Sequence, residues 1–153
     1  RAGDERLCFV TFSSLTDLPT LDRPGFGEDH FRERNIDAIH VITRTNVWYA
    51  YEDLPAALDR IRQVVADKER VITYGSSMGG YAAIRFAEAL GAATAIAISP
   101  QYSIEHRLVR FENRWNALID RALKMRTQGP HGSTHVRPVV FYDPHDLDCL
   151  HFR

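Results

Sequence analysis

One short segment of the chain places glycines around a serine at the spacing of an activated nucleophile. Residues 74–83 read Tyr-Gly-Ser-Ser-Met-Gly-Gly-Tyr-Ala-Ala, so Gly75 and Gly79 lie two residues before and two residues after Ser77. An apolar, β-branched run precedes this segment, and a run of small residues typical of a helix follows it. In a sharp strand-to-helix turn, glycines at these positions remove side chains that would collide, and they leave the serine hydroxyl exposed. The pattern therefore predicts that Ser77, rather than Ser76, is a nucleophile.

A glycine-rich turn that begins a helix has a second interpretation, because the backbone amides at a helix N-terminus can bind phosphate. However, no lysine follows these glycines as in a P-loop, and the GxGxxG spacing of a dinucleotide site is missing. The nucleophile is therefore favoured over a phosphate site, and we expect no cofactor.

The elements that must position this segment follow from the hydrophobic pattern. Short apolar runs predict strands at residues 6–12, 36–43, 71–74, 93–98 and 138–142. Helices are predicted at residues 27–35, 54–67 and 79–90 and along one face of residues 111–125. Both faces of the strands are apolar, as expected of parallel strands that are covered on two sides. The alternation predicts an α/β fold with a doubly wound, mainly parallel sheet of about five strands.

Length, charge and composition limit the class of protein. The 153 residues are 44% hydrophobic, which is enough for one buried core, so residues 1–153 are expected to form a single domain. The net charge of −1 gives no general attraction for nucleic acid or an anionic membrane. No apolar run approaches the roughly 20 residues of a membrane span, and two cysteines cannot build a disulfide framework. With no visible targeting signal, we expect a soluble protein of the cytoplasm.

Three segments together resemble a known fold. The Gly-Ser-Ser-Met-Gly-Gly-Tyr segment is joined by Trp48-Tyr49 before a helix and by Ser99-Pro100-Gln101 after the fourth strand. Over residues 6–151 the chain resembles the α/β-hydrolase fold, and more narrowly the small bacterial serine hydrolases with this nucleophile elbow, which are related to the hydrolase-like component of accessory secretion systems. The resemblance implies the strand order second, first, third, fourth, fifth. The first hairpin and the last strand of that fold are not visible in this chain.

The resemblance also implies an oxyanion hole. Its two donors would be the amide of Met78, directly after the nucleophile, and the amide of Ser14 or of Ser13, just past the first strand. The alternative for the serine pair is a plain strand terminus.

The rest of a catalytic triad is expected after the last strand. Counting from that strand favours Asp146 as the acid, with Asp148 second and Asp143 third, and each of them could instead cap a turn. The order nucleophile, acid, histidine then asks for a base beyond one more strand. His151 is the candidate within the chain, ahead of His145. We therefore expect a fragment or a processed portion, with the base either at His151 or past the end of the chain, and with a helical, lid-like insertion over residues 102–130.

Two other functions compete with a serine hydrolase. The Asp- and His-rich residues 143–151, with His131 and His135, could ligate a metal. However, His131 and His135 lie in a Gly- and Pro-containing loop, where their spacing does not place both imidazole rings on one helix face, so no metal is expected. Residues 105–126 carry an excess of three positive charges, which would suit a non-catalytic binding module.

The favoured function is a carboxylesterase or thioesterase that forms an acyl-enzyme on Ser77. An acyltransferase or deacetylase acting on a sugar hydroxyl is the variant, so the expected substrate is a small acyl ester or an acylated glycan.

Overall fold

Parallel strands form the centre of the computed structural model, which describes residues 6–103, 105–125 and 135–152. The strands among these residues are β1 (Leu7–Phe12), β2 (Asp37–Val41), β3 (Arg70–Ser76), β4 (Thr94–Ile98) and β5 (Pro138–Phe141). The helices are α1 (Glu28–Glu33), α2 (Leu54–Val64), α3 (Met78–Arg85) and α4 (Asn116–Met125), followed by a 3₁₀ helix (Leu147–Phe152). None of the helices in these residues is long and apolar enough to cross a membrane.

The strand order in the sheet is β2-β1-β3-β4-β5, and every neighbouring pair is parallel. This confirms the predicted α/β fold with a doubly wound sheet. The register pairs Phe12 of β1 with Gly75 of β3, so the two strands end at the same level. The chain crosses to one side of β1 first and to the other side afterwards, and such a switch point is where α/β proteins place their ligands.

Some predicted boundaries are wrong, and long-range pairing is the reason. β3 runs two residues further than its apolar stretch, because Gly75 pairs with Ala97 and Ser76 with Ile98 of β4. Helix α4 begins only at Asn116, so Phe111 precedes it and is not part of its face.

Buried small and aromatic side chains join the sheet to α3. Val10 and Phe12 of β1 have no exposed surface, and Phe12 meets the ring of Tyr49 edge-on at a centroid distance of 5.3 Å. The hydroxyl of the buried Thr73 donates to the carbonyl of Ala83 at 2.7 Å and so ties β3 to the following helix. β3 and α3, which precede and follow the Ser77 turn, are therefore tied to each other.

The outer strand β5 departs from the expected burial on two faces. Val139 is 46% exposed and Phe141 is 57% exposed. Of the described strands, only β4 pairs with β5, at the edge of the sheet.

Candidate active site

Ser77 lies between β3 and α3 with a backbone that serine rarely adopts. Its φ is +51° and its ψ is −122°. Residues other than glycine avoid positive φ because Cβ meets the backbone, so this conformation persists only where the surroundings hold it. The Ser77 amide donates to the carbonyl of Ile98 at 2.9 Å, and the Ser77 carbonyl accepts from the amide of Tyr81 at 3.0 Å. Ser77 is half-buried, at the carboxyl edge of the sheet.

The glycines around Ser77 occupy places where no side chain fits. A Cβ on Gly75 would lie 2.3 Å from the carbonyl oxygen of Gly79, and a Cβ on Gly79 would lie 2.2 Å from the carbonyl oxygen of Phe12. Gly80, to which the sequence analysis gave no role, is a third tight position, since its Cβ would lie 3.0 Å from Cβ of Pro100. The elbow therefore fits closely against both β1 and the segment after β4.

The end of β1 lies beside the elbow. The Ser14 hydroxyl donates to the carbonyl of Ser76 at 2.9 Å. The amide and the hydroxyl of Ser13 both donate to the carbonyl of Val41, each at 3.1 Å. Ser13 is thus bound to β2, whereas Ser14 is the member of the pair that contacts the residue before Ser77. Met78, the first residue of α3, has a fully buried side chain.

A buried glutamine contacts the candidate nucleophile. The Nε2 atom of Gln101 lies 3.4 Å from Oγ of Ser77, and its Oε1 accepts from the indole N–H of Trp48 at 3.1 Å. The sequence analysis used Gln101 and Trp48 only as part of a resemblance and gave neither a role. A polar residue within three residues of the end of a strand, at the ligand-binding edge of the sheet, is the signal that could have found Gln101.

The three candidate acids have different surroundings. A side-chain oxygen of Asp148 accepts from Arg114 at 2.5 Å, and a side-chain oxygen of Asp143 accepts from the amide of His145 at 2.8 Å. Asp146 is exposed, and its backbone joins two turns, donating to the carbonyl of Asp143 at 3.2 Å. Its role as the acid stays a prediction.

His151, the candidate base, is buried and both ring nitrogens have partners. Nδ1 accepts from the amide of Tyr102 at 3.2 Å, and Nε2 lies 3.4 Å from a carboxylate oxygen of Glu112. The ring of Phe111 lies edge-on at a centroid distance of 4.8 Å. Burial lowers the pKa of His151, and Glu112 opposes that shift only in part. To act on Ser77 the ring would have to give up one of its two contacts, and its role also stays a prediction.

Glu112, Asp148 and His151 form a cluster whose potential metal-ligating atoms lie within 4.8 Å of one another. The guanidinium of Arg114 contacts both carboxylates, at 2.5 Å in each case. Burial acts to raise the pKa of Glu112, but its hydrogen bonds from Arg114 outweigh burial and lower it overall. Because Arg114 already supplies the positive charge, a metal ion would have to displace it.

The other members of the hypothetical metal site lie elsewhere or are not described. Asp143, His145 and Asp146 are exposed, and so is His135. His131 lies outside the described residues.

The predicted insertion over residues 102–130 is described up to residue 125, except for residue 104, and we call residues 105–125 the lid segment. It contacts the site through aromatic rings. Trp115 packs on Trp48 at a centroid distance of 5.9 Å, and the guanidinium of Arg114 lies 4.2 Å from the Trp115 ring. At least one of the positive charges that would suit a binding module is therefore used inside the protein.

Comparison with known proteins gives a structural likeness and a family. Among solved structures, the chain is similar to FphF, a fluorophosphonate-binding serine hydrolase of Staphylococcus aureus solved with its substrate bound. The TM-score is 0.52 at 19% identity, over 89% of this chain and 57% of that one, so the likeness concerns the fold and this chain spans little more than half of that protein's length. No curated protein matches the sequence. Residues 2–150 match the profile of the alpha/beta hydrolase family, and the chain therefore belongs to that family.

Proposed function

We propose that this chain carries the nucleophile of a serine hydrolase that cleaves esters or thioesters through an acyl-enzyme on Ser77. The observation that carries the proposal is the positive φ of Ser77 in a turn between β3 and α3. Strain of this kind clusters at active sites, where it aims a side chain at the substrate. Oγ of Ser77 attacks the carbonyl carbon, the alcohol or thiol leaves with a proton, and water then releases the acid. A sugar hydroxyl in place of that water would make the same site an acyltransferase.

The oxyanion of the tetrahedral intermediate would be held by the amides of Met78 and Ser14. Met78 is the first residue of α3, so its amide lies at the positive end of that helix. We favour the Ser14 amide over that of Ser13, because the Ser13 amide already donates to Val41. Donors aimed at a developing oxyanion are worth several orders of magnitude in rate when they act together.

Asp146 is proposed as the acid, because the other two candidates have partners for their carboxylates, Arg114 for Asp148 and a turn amide for Asp143. The family order of nucleophile, acid and histidine places the base after Asp146. His151 is the candidate that follows Asp146 in this chain, at the cost of a contact with Tyr102 or Glu112.

The test of this function is covalent labelling of the protein as its own gene encodes it. We expect a fluorophosphonate to modify Ser77, and we expect Ser77→Ala to reduce labelling by about 10³-fold or more, as loss of a catalytic nucleophile does. Mass spectrometry of the labelled peptide locates the adduct.

Ser76→Ala is the matched control, because Ser76 is the adjacent serine in the same turn and has no glycine two residues before it or two residues after it. That variant should be labelled as the wild type is. An adduct on Ser76, or labelling that survives Ser77→Ala, would contradict the proposal.

A further inference from the structure

The side chain of Gln101 bridges two residues that are far apart in sequence. It lies between the indole of Trp48 and the hydroxyl of Ser77, at 3.1 Å and 3.4 Å. Gln101 and Trp48 are each only 2% exposed. A buried amide in contact with a candidate nucleophile needs an explanation, because burying polar groups costs free energy unless each finds a partner.

Chemistry determines which way the Gln101 amide faces. An indole N–H can only donate, so the oxygen of the amide must face Trp48. The amino group then faces Ser77, and because an amino group can only donate, Oγ of Ser77 must be the acceptor. The hydroxyl hydrogen of Ser77 is consequently left for a different acceptor, which is the arrangement that attack by this oxygen requires.

The backbone at both ends of this bridge is strained. Ser99, two residues before Gln101, has a φ of +42°, and Trp48 and Tyr49 have φ values of +48° and +60°. The amide of Ser99 donates to the carbonyl of Phe141 at 2.7 Å, which holds that turn at the end of β4. Conformations of this kind persist where the surroundings impose them, and they concentrate at functional sites.

We propose that Gln101 is a positioning residue for Ser77, oriented by Trp48. This inference rests on the proposed function, in which Ser77 is the nucleophile. The Gln101 amide donates to Oγ, holds the hydroxyl in one rotamer and directs its proton towards the base. When Oγ bonds to the carbonyl carbon, that proton passes to the base and the carbonyl π pair moves to the oxyanion. The contact of 3.4 Å is at the long end of hydrogen bonds, as is common in active sites without substrate.

Two substitutions at Gln101 separate this role from simple packing. Gln101→Met keeps the length of the side chain and removes the amide oxygen and the amino group, and we expect fluorophosphonate labelling of Ser77 to slow on the order of 10-fold, the effect of one lost hydrogen bond. Gln101→Glu keeps the shape, but its ionised carboxylate accepts the hydroxyl proton instead of donating to Oγ. Labelling should therefore be slow when this carboxyl is ionised and should recover when it is protonated.

The decisive measurement is the ratio of the Gln101→Glu labelling rate to the wild-type rate as a function of pH. A buried carboxyl titrates above its usual range, and the groups that Gln101 faces, an indole and a hydroxyl, do not titrate at the same pH. We expect the ratio to rise as pH falls. A side chain that only fills space would give a ratio that does not change with pH.

Trp48→Phe tests the orienting contact. It keeps a ring against Trp115 but removes the indole N–H. The Gln101 amide can then flip, so that its oxygen and amino group exchange places, and labelling of Ser77 should slow. Trp115→Phe is the matched control, since it changes the other ring of the same pair but leaves the indole N–H of Trp48 in place, and it should be labelled faster than Trp48→Phe. Thermal unfolding of each variant establishes that the fold is retained.

The possible outcomes distinguish the inference from the function beneath it. If the wild-type protein is not labelled at Ser77, the proposed function and this inference both fall. If the wild type is labelled and the Gln101→Glu ratio is flat with pH, the proposed function stands and the positioning role is wrong. A ratio that rises towards acid pH, with slower labelling of Trp48→Phe than of Trp115→Phe, supports the role.

Discussion

At the scale of single residues, the elbow combines local strain with exact steric fit. The positive φ of Ser77 costs on the order of 1–3 kcal/mol, and hydrogen bonds to Ile98 and Tyr81 hold it in place. The neighbouring Gly79 has no such strain, but its Cα lies directly against the end of β1. Ser77 therefore has a strained backbone, and at Gly79 no larger side chain fits.

Gly79→Ala is therefore expected to destabilise the protein by about 3 kcal/mol, the upper part of the range for overpacking. The new Cβ would lie 2.2 Å from the carbonyl oxygen of Phe12, a backbone atom that cannot turn aside. Gly91→Ala is the control, because Gly91 has a φ of +64° and nothing within 4 Å of a Cβ. It should lose only about 1 kcal/mol, the cost of a left-handed alanine. Urea unfolding measures both free energies, and equal losses would refute the steric explanation.

At the scale of elements, a buried ion pair fastens the lid segment to the 3₁₀ helix. Glu112 lies in the lid segment just before α4, and Asp148 lies in the 3₁₀ helix. Arg114 contacts both carboxylates, with 30% of its own side chain exposed. Because two carboxylates share one guanidinium, the loss of that cation removes the charged partner of both, and Glu112 keeps only its contact with His151 among those described above.

Arg114→Leu should accordingly destabilise the protein by about 3 kcal/mol or more, the usual effect of breaking a buried ion pair from one side. Arg107→Leu is the matched control in the same segment, since Arg107 pairs with Glu105 while 77% of its side chain is exposed. Exposed pairs are worth less than about 1 kcal/mol. Chemical denaturation of the two variants makes the comparison. A small loss for Arg114→Leu would mean that the carboxylates find other partners.

At the scale of the whole molecule, the strand order concentrates polar groups at one edge of the sheet. Ser14 follows β1, Ser77 follows β3 and Gln101 follows β4. The register ends these neighbouring strands at similar levels, so residues separated by more than 60 positions come into contact. The fold thereby brings the candidate nucleophile, the proposed oxyanion donor and the proposed positioning residue together without any local sequence pattern that joins them.

The stability of the whole molecule should fall as the solution becomes mildly acidic. Burial lowers the pKa of both His151 and His40 from the ordinary value of 6.5. The unfolded chain then takes up protons first, so each histidine removes stability as pH falls from 6.5 towards its lowered folded value. Burial is the largest cause of the lowered pKa of His151; Glu112 and Asp148 only moderate it, and Arg114 adds to it. The contacts of the ring include Glu112, the Tyr102 amide and the Phe111 ring.

Denaturant unfolding from about pH 8 to about pH 5 tests this expectation. The free energy of unfolding of the wild type should decrease over that range, and His151→Gln should decrease less. His145→Gln, at an exposed position close to the same 3₁₀ helix, is the control. A wild-type stability that stays constant or rises towards acid pH would show that these two histidines are not held neutral.

The sequence by itself determined the α/β class, the order of strands and helices, and the identity of Ser77 as the candidate nucleophile. These features rest on patterns over about ten neighbouring residues, where side-chain period and glycine spacing act directly on the local backbone. Only the tertiary structure decided the contact of Gln101 with Trp48 and Ser77, the burial of Glu112 against His151, and the extension of β3 through Gly75 and Ser76. Each of these depends on two segments that lie far apart in the chain, and no local preference specifies which segments the packed sheet will bring together.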